Sequence, residues 1–248
     1  MITLENVTVD ELLSWMNEKV EVDHEEYLEW KAKRLEESKL DLKAILEGTP
    51  KRTYIRGSDF RSYLSCARIL YYDTHQPKRR QVYINKGIYG AIKKHELIQS
   101  RLKKRGWTAE YAPKRYLHKY KLDGVGHLDC VSPSMTFFME MKHNKPSPAD
   151  ELQTAWYQYI CDGTPPIALL YRTRLTIIPD LTTFILKYIP RVVGTIIHDV
   201  VPPLHPKFPL CKGTCDYASR CGRPNRVQMH QGTPVEWIEY FKKIEAWR

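Results

Sequence analysis

Gly126-His127-Leu128-Asp129, followed after the turn residues Ser132-Pro133-Ser134 by Thr136-Phe137-Phe138-Met139-Glu140-Met141-Lys142, decides the reading of this chain. If Met135–Lys142 is a strand, its two-residue period puts Phe138, Glu140 and Lys142 on one face and turns Met139 and Met141 into another layer. Asp129 lies near the end of the preceding strand, and an antiparallel hairpin through Ser132–Met135 brings its carboxylate beside Glu140. Two adjacent carboxylates repel unless a cation separates them, and two oxygen ligands completed by water and a phosphate suit Mg²⁺ or Mn²⁺. Lys142, two residues on, is placed to stabilise a developing anion. Glu-x-Lys alone is a common solvated strand face. What gives it weight is the Gly-His-Leu-Asp ahead of it, the apolar run leading in and the helix directly after it.

That helix starts at Ser147-Pro148-Ala149-Asp150, with Ser as N-cap, Pro at the first position and an acid three residues on, and is expected to reach Gly163. Gln153 and Tyr157, four apart, share one of its faces and can orient Lys142, a water or a phosphate. Upstream, residues 8–47 are rich in helix formers and contain no Pro or Gly. A further helix is expected from Ser58, with Phe60, Tyr63, Leu64, Ala67, Leu70 and Tyr71 as its stripe and Cys66 on it. Another runs from about Lys86 to Arg105. Trp107–Met141 reads as short strands, as do Ile167–Tyr171 and Leu175–Ile178, with a helix over Asp180–Ile189. The fold class expected is α/β, a mixed sheet flanked by helices.

The chain has 248 residues, with 39 Lys+Arg against 29 Asp+Glu for a formal charge of +10. Thirteen acidic and six basic side chains fall in residues 1–50, a net of −7, which leaves thirty-three basic and sixteen acidic beyond them, a net of +17. The first fifty residues therefore read as an acidic helical extension, packed on the body or shielding a basic groove. A body that basic points to a polyanion. Three basic segments flank the carboxylates: Pro77 to Arg80, with Arg79 and Arg80; Arg101–Arg105, with Lys103 and Lys104; and Lys114–Lys121, where Lys114 and Arg115 interleave with Tyr111, Tyr116 and Tyr120. Cations beside flat rings favour single-stranded DNA, whose bases are free to stack. No apolar run approaches a membrane span and the first residues lack a signal-peptide pattern, so a cytoplasmic protein with reduced cysteines and no membrane partner is expected. Cys211, Cys215 and Cys221 form a tight cluster in a Pro-rich segment, and Cys66 supplies a fourth thiolate. By geometry four thiolates suit zinc or an iron–sulfur cluster equally. Cys130 and Cys161 fit no cluster and read as small buried residues.

In order and spacing, Gly126-His127-Leu128-Asp129, Glu140-Met141-Lys142 and Gln153-Thr154-Ala155-Trp156-Tyr157 resemble the catalytic motifs of the PD-(D/E)XK nucleases of RecB type. Together with Cys66, Cys211, Cys215 and Cys221 they resemble the iron–sulfur branch of that group, most closely the CRISPR-associated Cas-four exonuclease family. The likeness spans about residues 54–225, which divides the chain into an extension (1–50), a nuclease domain (51–225) and a C-terminal helical tail (226–248). It implies a restriction-endonuclease-like core and a DNA exonuclease, with endonuclease activity as a companion, acting on single strands or overhangs. The setting it implies is antiviral CRISPR spacer acquisition, with CRISPR integrase proteins as partners, or recombination and repair, in a cellular, viral or plasmid-borne protein.

The resemblance also implies a 4Fe-4S cluster. The family has two residues between the first two clustered cysteines where this chain has three, which keeps Zn²⁺ or 2Fe-2S as alternatives. On the helix before the sheet the family shows Gly-x-x-x-His. Ala91 stands here at the Gly position, with Gly90 beside it, and His95 is implied as the histidine completing a metal site of Asp129, Glu140 and the Met141 carbonyl. His127 is the rival. From a different class, the alternative function is a nucleic-acid-binding protein with a structural or redox-sensing cluster and no nuclease activity.

Overall fold

The computed structural model describes residues 3–46, 52–75, 84–143, 145–162, 166–203, 217 and 221. The chain begins with a small hairpin, β1 (Thr3–Leu4) and β2 (Val7–Thr8), and two helices, α1 (Val9–Asn17) and α2 (His24–Leu46). Thr8 caps α1 in a reciprocal box with Glu11. Next come β3 (Tyr54–Arg56), α3 (Gly57–Ser65), α4 (Ala67–His75) and α5 (Lys86–Lys103). The strands β4 (Thr108–Tyr111), β5 (Lys114–Leu117), β6 (Leu122–Val125), β7 (Leu128–Val131) and β8 (Phe138–Lys142) lead to α6 (Pro148–Ile160). The described part closes with β9 (Ile167–Tyr171), β10 (Leu175–Ile178), α7 (Thr182–Ile185) and α8 (Ile189–Ile197).

The architecture is mixed α/β. Five strands form one mixed sheet in the order β10-β9-β8-β7-β4, and three form another, β3-β6-β5. In the larger sheet only β8 and β9 run parallel, joined through α6, as a parallel pair requires of its crossover. β7 and β8 are antiparallel, with Cys130 opposite Met139 and Val131 opposite Phe138. The next rung puts Asp129 across from Glu140, the juxtaposition expected from the sequence. The strand faces also divide as alternation demands: Phe138 enters one core with Phe60, Leu152 and Trp156. Met139 and Met141 enter a second with Ile98, Leu102 and Trp107.

Three parts of the fold differ from the sequence expectation. The helix expected from Ser58 is two helices broken at Cys66, whose backbone is extended (φ −168, ψ 115). Its start is held by Asp59, whose carboxylate accepts the Arg56 amide at 2.8 Å. The helix expected over Asp180–Ile189 is the single turn α7, followed by α8, whose β-branched run Val192-Val193 and Ile196-Ile197 hides a helix made stable by burial. The β1–β2 hairpin was not foreseen. The acidic N-terminal segment is built into the second core through Leu4, Val7, Leu12 and Met16. It also neutralises part of α5: Arg101 binds Glu18 through both guanidinium nitrogens at 2.5 and 2.9 Å, Arg105 reaches Glu11 at 2.6 Å, and Lys93 reaches Glu26 at 3.0 Å. No helix among the described residues is long and apolar enough to cross a membrane.

Candidate functional site

Helix α6 fixes one wall of the site. Its start is the one read from sequence: the Ser147 hydroxyl donates to Asp150 at 2.9 Å, with Pro148 in the first turn. Residues 152–158 are buried throughout because the helix is enclosed on more than one side. Gly57 and Gly126 let backbone approach it: a Cβ on Gly126 would stand 2.5 Å from Ile160 Cδ1 and 2.9 Å from Pro113 Cγ. A Cβ on Gly57 would stand 2.9 Å from both Gln153 Cγ and Tyr157 Cε1.

Four predicted residues join in one hydrogen-bonded chain. Lys142 Nζ donates to Glu140 Oε1 at 2.8 Å and to Gln153 Oε1 at 3.1 Å. Gln153 Nε2 donates to the Tyr157 hydroxyl at 2.6 Å and reaches Glu140 Oε1 at 3.4 Å. Asp129 stands beside this chain, its Oδ2 accepting the Met141 amide at 2.5 Å. It is Met141's N–H, then, that touches the acid, while its side chain lies in the second core. His95, from the middle of α5, brings Nε2 to 3.2 Å from the same Asp129 oxygen. Both carboxylates are nearly enclosed, with Asp129 8% and Glu140 5% exposed.

The charges respond to that enclosure. Burial, then the Asp129 charge, pushes the Glu140 carboxyl well above the usual carboxylate range against the pull of Lys142 and His95. Burial opposes a charge on His95, but Asp129, Glu140 and Glu110 outweigh it and raise its pKa. Burial and the Glu140 charge push the Tyr157 hydroxyl up. A cation at this place would relieve the carboxylate repulsion.

Among the described residues no group of three or more His, Cys, Asp or Glu side chains is gathered as a ready coordination shell. The donor chemistry nevertheless fits a hard divalent ion. Glu140 Oε2 is buried with no hydrogen-bond partner, and His95 Nε2, buried too, meets Asp129 without a properly directed hydrogen bond. An orphaned carboxylate oxygen beside a second carboxylate is what Mg²⁺ or Mn²⁺ would satisfy, with the His95 imidazole, paired here with Asp129, at the same place. His127 is paired with Glu110 at 2.7 Å on an exposed edge, not with either carboxylate of the hairpin.

Three neighbours escaped the sequence reading. Gln99, one turn after His95, donates to Glu110 at 2.5 Å and to the Asp129 carbonyl at 3.2 Å, tying α5 to β7. Its spacing from His95 was the available signal. Glu110 occupies the left-handed region (φ 57) within β4, a strained backbone beside the site that no sequence pattern announces. His143 follows Lys142, and its ring lies 5.5 Å from His95. Burial, then the charges of His95, Arg172 and Lys94, lowers its pKa to about 4.

Cys66 is buried at the α3–α4 break, and Cys221 packs against Tyr71, Tyr72 and Tyr217. Arg68 ties this region together, donating to the Pro202 carbonyl at 2.6 Å and the Cys221 carbonyl at 3.1 Å. Tyr217 donates to Asp73 at 2.5 Å. Cys211 and Cys215, like Arg79 and Arg80 and the expected tail 226–248, lie outside the described residues. Cys130 is fully buried in the second core and Cys161 half-buried. Burial raises both thiols, Cys161 to about 12.

Of the expected DNA contacts, Lys103 and Lys104 are exposed and border an open cavity of about 480 Å³ shared with Gln99 and Glu96. Lys114 pairs with Asp123 at 3.0 Å. Arg115 donates to the Tyr159 carbonyl and to Asp162, both at 2.7 Å. Tyr116 is 49% exposed.

No family model matches the chain, and no curated protein matches it. Among solved structures it is similar to SSO0001, with a TM-score of 0.46 and 17% identity, over 63% of this chain and 82% of that one.

Proposed function

We propose that this chain is a metal-dependent DNA nuclease with a PD-(D/E)XK-type core, hydrolysing phosphodiester bonds of single strands or overhangs. The observation that carries the reading is the buried chain Lys142–Glu140–Gln153–Tyr157 lying against Asp129, with Glu140 Oε2 left without a partner. Buried carboxylate oxygens are normally hydrogen-bonded, and this unpaired one faces a site that already holds a second carboxylate, where a cation would satisfy it.

Asp129, Glu140 and His95 are the residues that would hold Mg²⁺ or Mn²⁺, which when bound supplies an acidified water and neutralises phosphate charge. The chain's own residues do the positioning. Hydrolysis forms one bond from water oxygen to phosphorus and breaks one bridging P–O bond, while the water loses a proton and the leaving oxygen gains one. Lys142 uses two N–H groups on Glu140 and Gln153, which fixes its ammonium and leaves a third N–H for a phosphate oxygen. Gln153 is held from both sides, so Lys142 and Tyr157 cannot drift apart. Tyr157 accepts from Gln153 and keeps its own O–H for a substrate oxygen, neutral because its pKa is raised.

The second part of the proposal is a metal cluster held by Cys66, Cys211, Cys215 and Cys221. It is supported by the attachment of the C-terminal segment beside Cys66 through Arg68 and Tyr217. Iron–sulfur is favoured over zinc by the sequence resemblance. Protein purified without oxygen is expected to be brown and to lose iron when Cys221→Ser is introduced. Colourless protein with stoichiometric zinc would overturn the iron assignment.

The test of the enzyme is degradation of 5′- and 3′-labelled single strands with Mn²⁺ by wild type and Glu140→Gln. Wild type is expected to shorten the strands and the variant to leave them whole. Intact strands with wild type, alongside measurable binding, would replace the nuclease with a nucleic-acid-binding protein.

A further inference from the structure

A second cavity lies on the other side of α6. It has a volume of about 740 Å³ and is built from β5 and the turn after it, the end of α6, and the start of α8. Gln153 and Tyr157 face the carboxylates. Tyr159, in the wall of this cavity, is two residues beyond Tyr157 and so about 200° further round the helix. The groove is therefore separated from the carboxylates by the body of α6.

Its lining alternates rings and cations. The Arg115 guanidinium stands 4.8 Å from the Tyr159 ring centre, and Lys119 Nζ stands 5.7 Å from that of Tyr120. Tyr116 meets His118 edge to face at 5.0 Å. Arg115 is committed to the Tyr159 carbonyl and Asp162, which makes it a fixed support. Lys119, by contrast, is exposed and has no ion pair among the described residues. Ile189 and Leu186, the latter 51% exposed, add apolar surface. Tyr116 leaves half its surface in solvent on an edge strand, where core packing gives no reason for an aromatic ring.

Charge and shape select the occupant. Five basic or imidazole side chains fall within residues 114–121, so an anionic partner is favoured. Exposed ring faces contribute nothing to duplex phosphates, whose bases are already stacked on each other, but they suit an unpaired base. The cavity is also of the size that encloses a ligand as large as a nucleotide.

We infer that this groove is a second nucleic-acid site, in which an unpaired base of a single strand stacks on Tyr116 while Lys119 meets its phosphate, on the far side of α6 from the carboxylates. The inference adopts DNA as the partner from the proposed function, but it does not depend on cleavage. Binding is measured by fluorescence anisotropy in chelator with full-length protein carrying Glu140→Gln, so that no hydrolysis intervenes. The probes are a 20-nucleotide oligothymidylate and an abasic strand of the same length.

Tyr116→Ala is expected to weaken oligothymidylate binding about fivefold or more and to leave the abasic strand unaffected, while Tyr116→Phe binds like the parent. Lys119→Gln should weaken both probes and reduce the salt slope by about 0.7. Unchanged melting temperatures will show that the variants fold. Equal binding of oligothymidylate by Tyr116→Ala and its parent overturns the inference, as does an equal loss on both probes. Failure of wild type to cleave DNA, with the Tyr116 effect intact, overturns only the nuclease.

Discussion

Replacing Gly57 by alanine tests the geometry of the candidate site without removing any functional group. Gly57 opens α3, and its missing side chain faces Gln153 and Tyr157: an added methyl would sit 2.9 Å from Gln153 Cγ, 2.9 Å from Tyr157 Cε1 and 3.2 Å from Tyr157 Cζ. Ordinary contact begins near 3.4 Å, so the neighbours must withdraw by about half an ångström. They are poorly placed to do so. The Tyr157 ring is buried and its hydroxyl is bound at 2.6 Å to Gln153, which is bound in turn to Lys142.

Overpacking of this kind costs about 1–3 kcal/mol, and replacing glycine returns up to about 1 kcal/mol by restricting the unfolded chain. A net loss of about 1–2 kcal/mol lowers the melting temperature by about 2–8 °C in a protein of this size. Gly90→Ala is the control. There the nearest atom is Val22 Cγ2 at 3.4 Å, in the interior of α5, and the same methyl should stabilise by about 0.5–1 kcal/mol. Thermal unfolding followed by circular dichroism should move in opposite directions for the two variants, and cleavage should fall only in Gly57→Ala. A Gly57→Ala protein as stable and as active as wild type would refute the tight approach of α3 to α6.

Three other outcomes are expected. Lys142→Met leaves Glu140 Oε1 without its cation and should reduce strand cleavage about 100-fold or more, measured as initial rate with Mn²⁺. The Glu11 carboxyl is held down to about 2, first by Arg105 and then by the Thr8 amide and hydroxyl. A depressed carboxylate gives its stability in full above its unfolded value near 4.5 and loses it as pH falls through about 2, so the stability gap between wild type and Glu11→Gln should narrow over that window in urea titrations. Arg68→Ala releases the Pro202 and Cys221 carbonyls. It should speed limited proteolysis beyond Pro203 and lower the iron content that the proposed cluster implies, and an unchanged proteolysis pattern would count against that anchor.

Much of the site was legible because it is local. Phe138, Glu140 and Lys142 share a face through strand alternation alone, Gln153 and Tyr157 share one through a helical turn, and Ser147–Asp150 announces its own helix. What escaped depends on contacts between distant segments. The apolar stripe from Phe60 to Tyr71 runs unbroken through Cys66, yet α3 packs on α6 and α4 on α8, and two partners demand two axes. Val192, Val193 and Ile196 have poor helix propensity, and only their burial makes α8 a helix. Glu110 and His143 acquire their places from α5, which meets them only after the chain has folded back.

The charge division illustrates how a correct count can mislead about place. Residues 1–50 do carry the acidic surplus, but part of that surplus is turned onto the body. Glu11, Glu18 and Glu26 are laid against Arg105, Arg101 and Lys93, so part of the basic run expected to meet phosphate is already neutralised within the fold. The same segment inserts Leu4, Val7, Leu12 and Met16 beneath Met139 and Met141, the backs of the strand whose front carries Glu140 and Lys142. Its acids therefore help hold α5, and with it His95, against the sheet. The cations left for a polyanion are those that the acidic segment does not reach. Among the described residues they include Lys103 and Lys104 at the end of α5, next to Gln99 and Glu96, and Lys119 in the groove on the other side of α6. Two separate basic patches with a helix between them suit a flexible single strand, which can turn around α6, better than a stiff duplex.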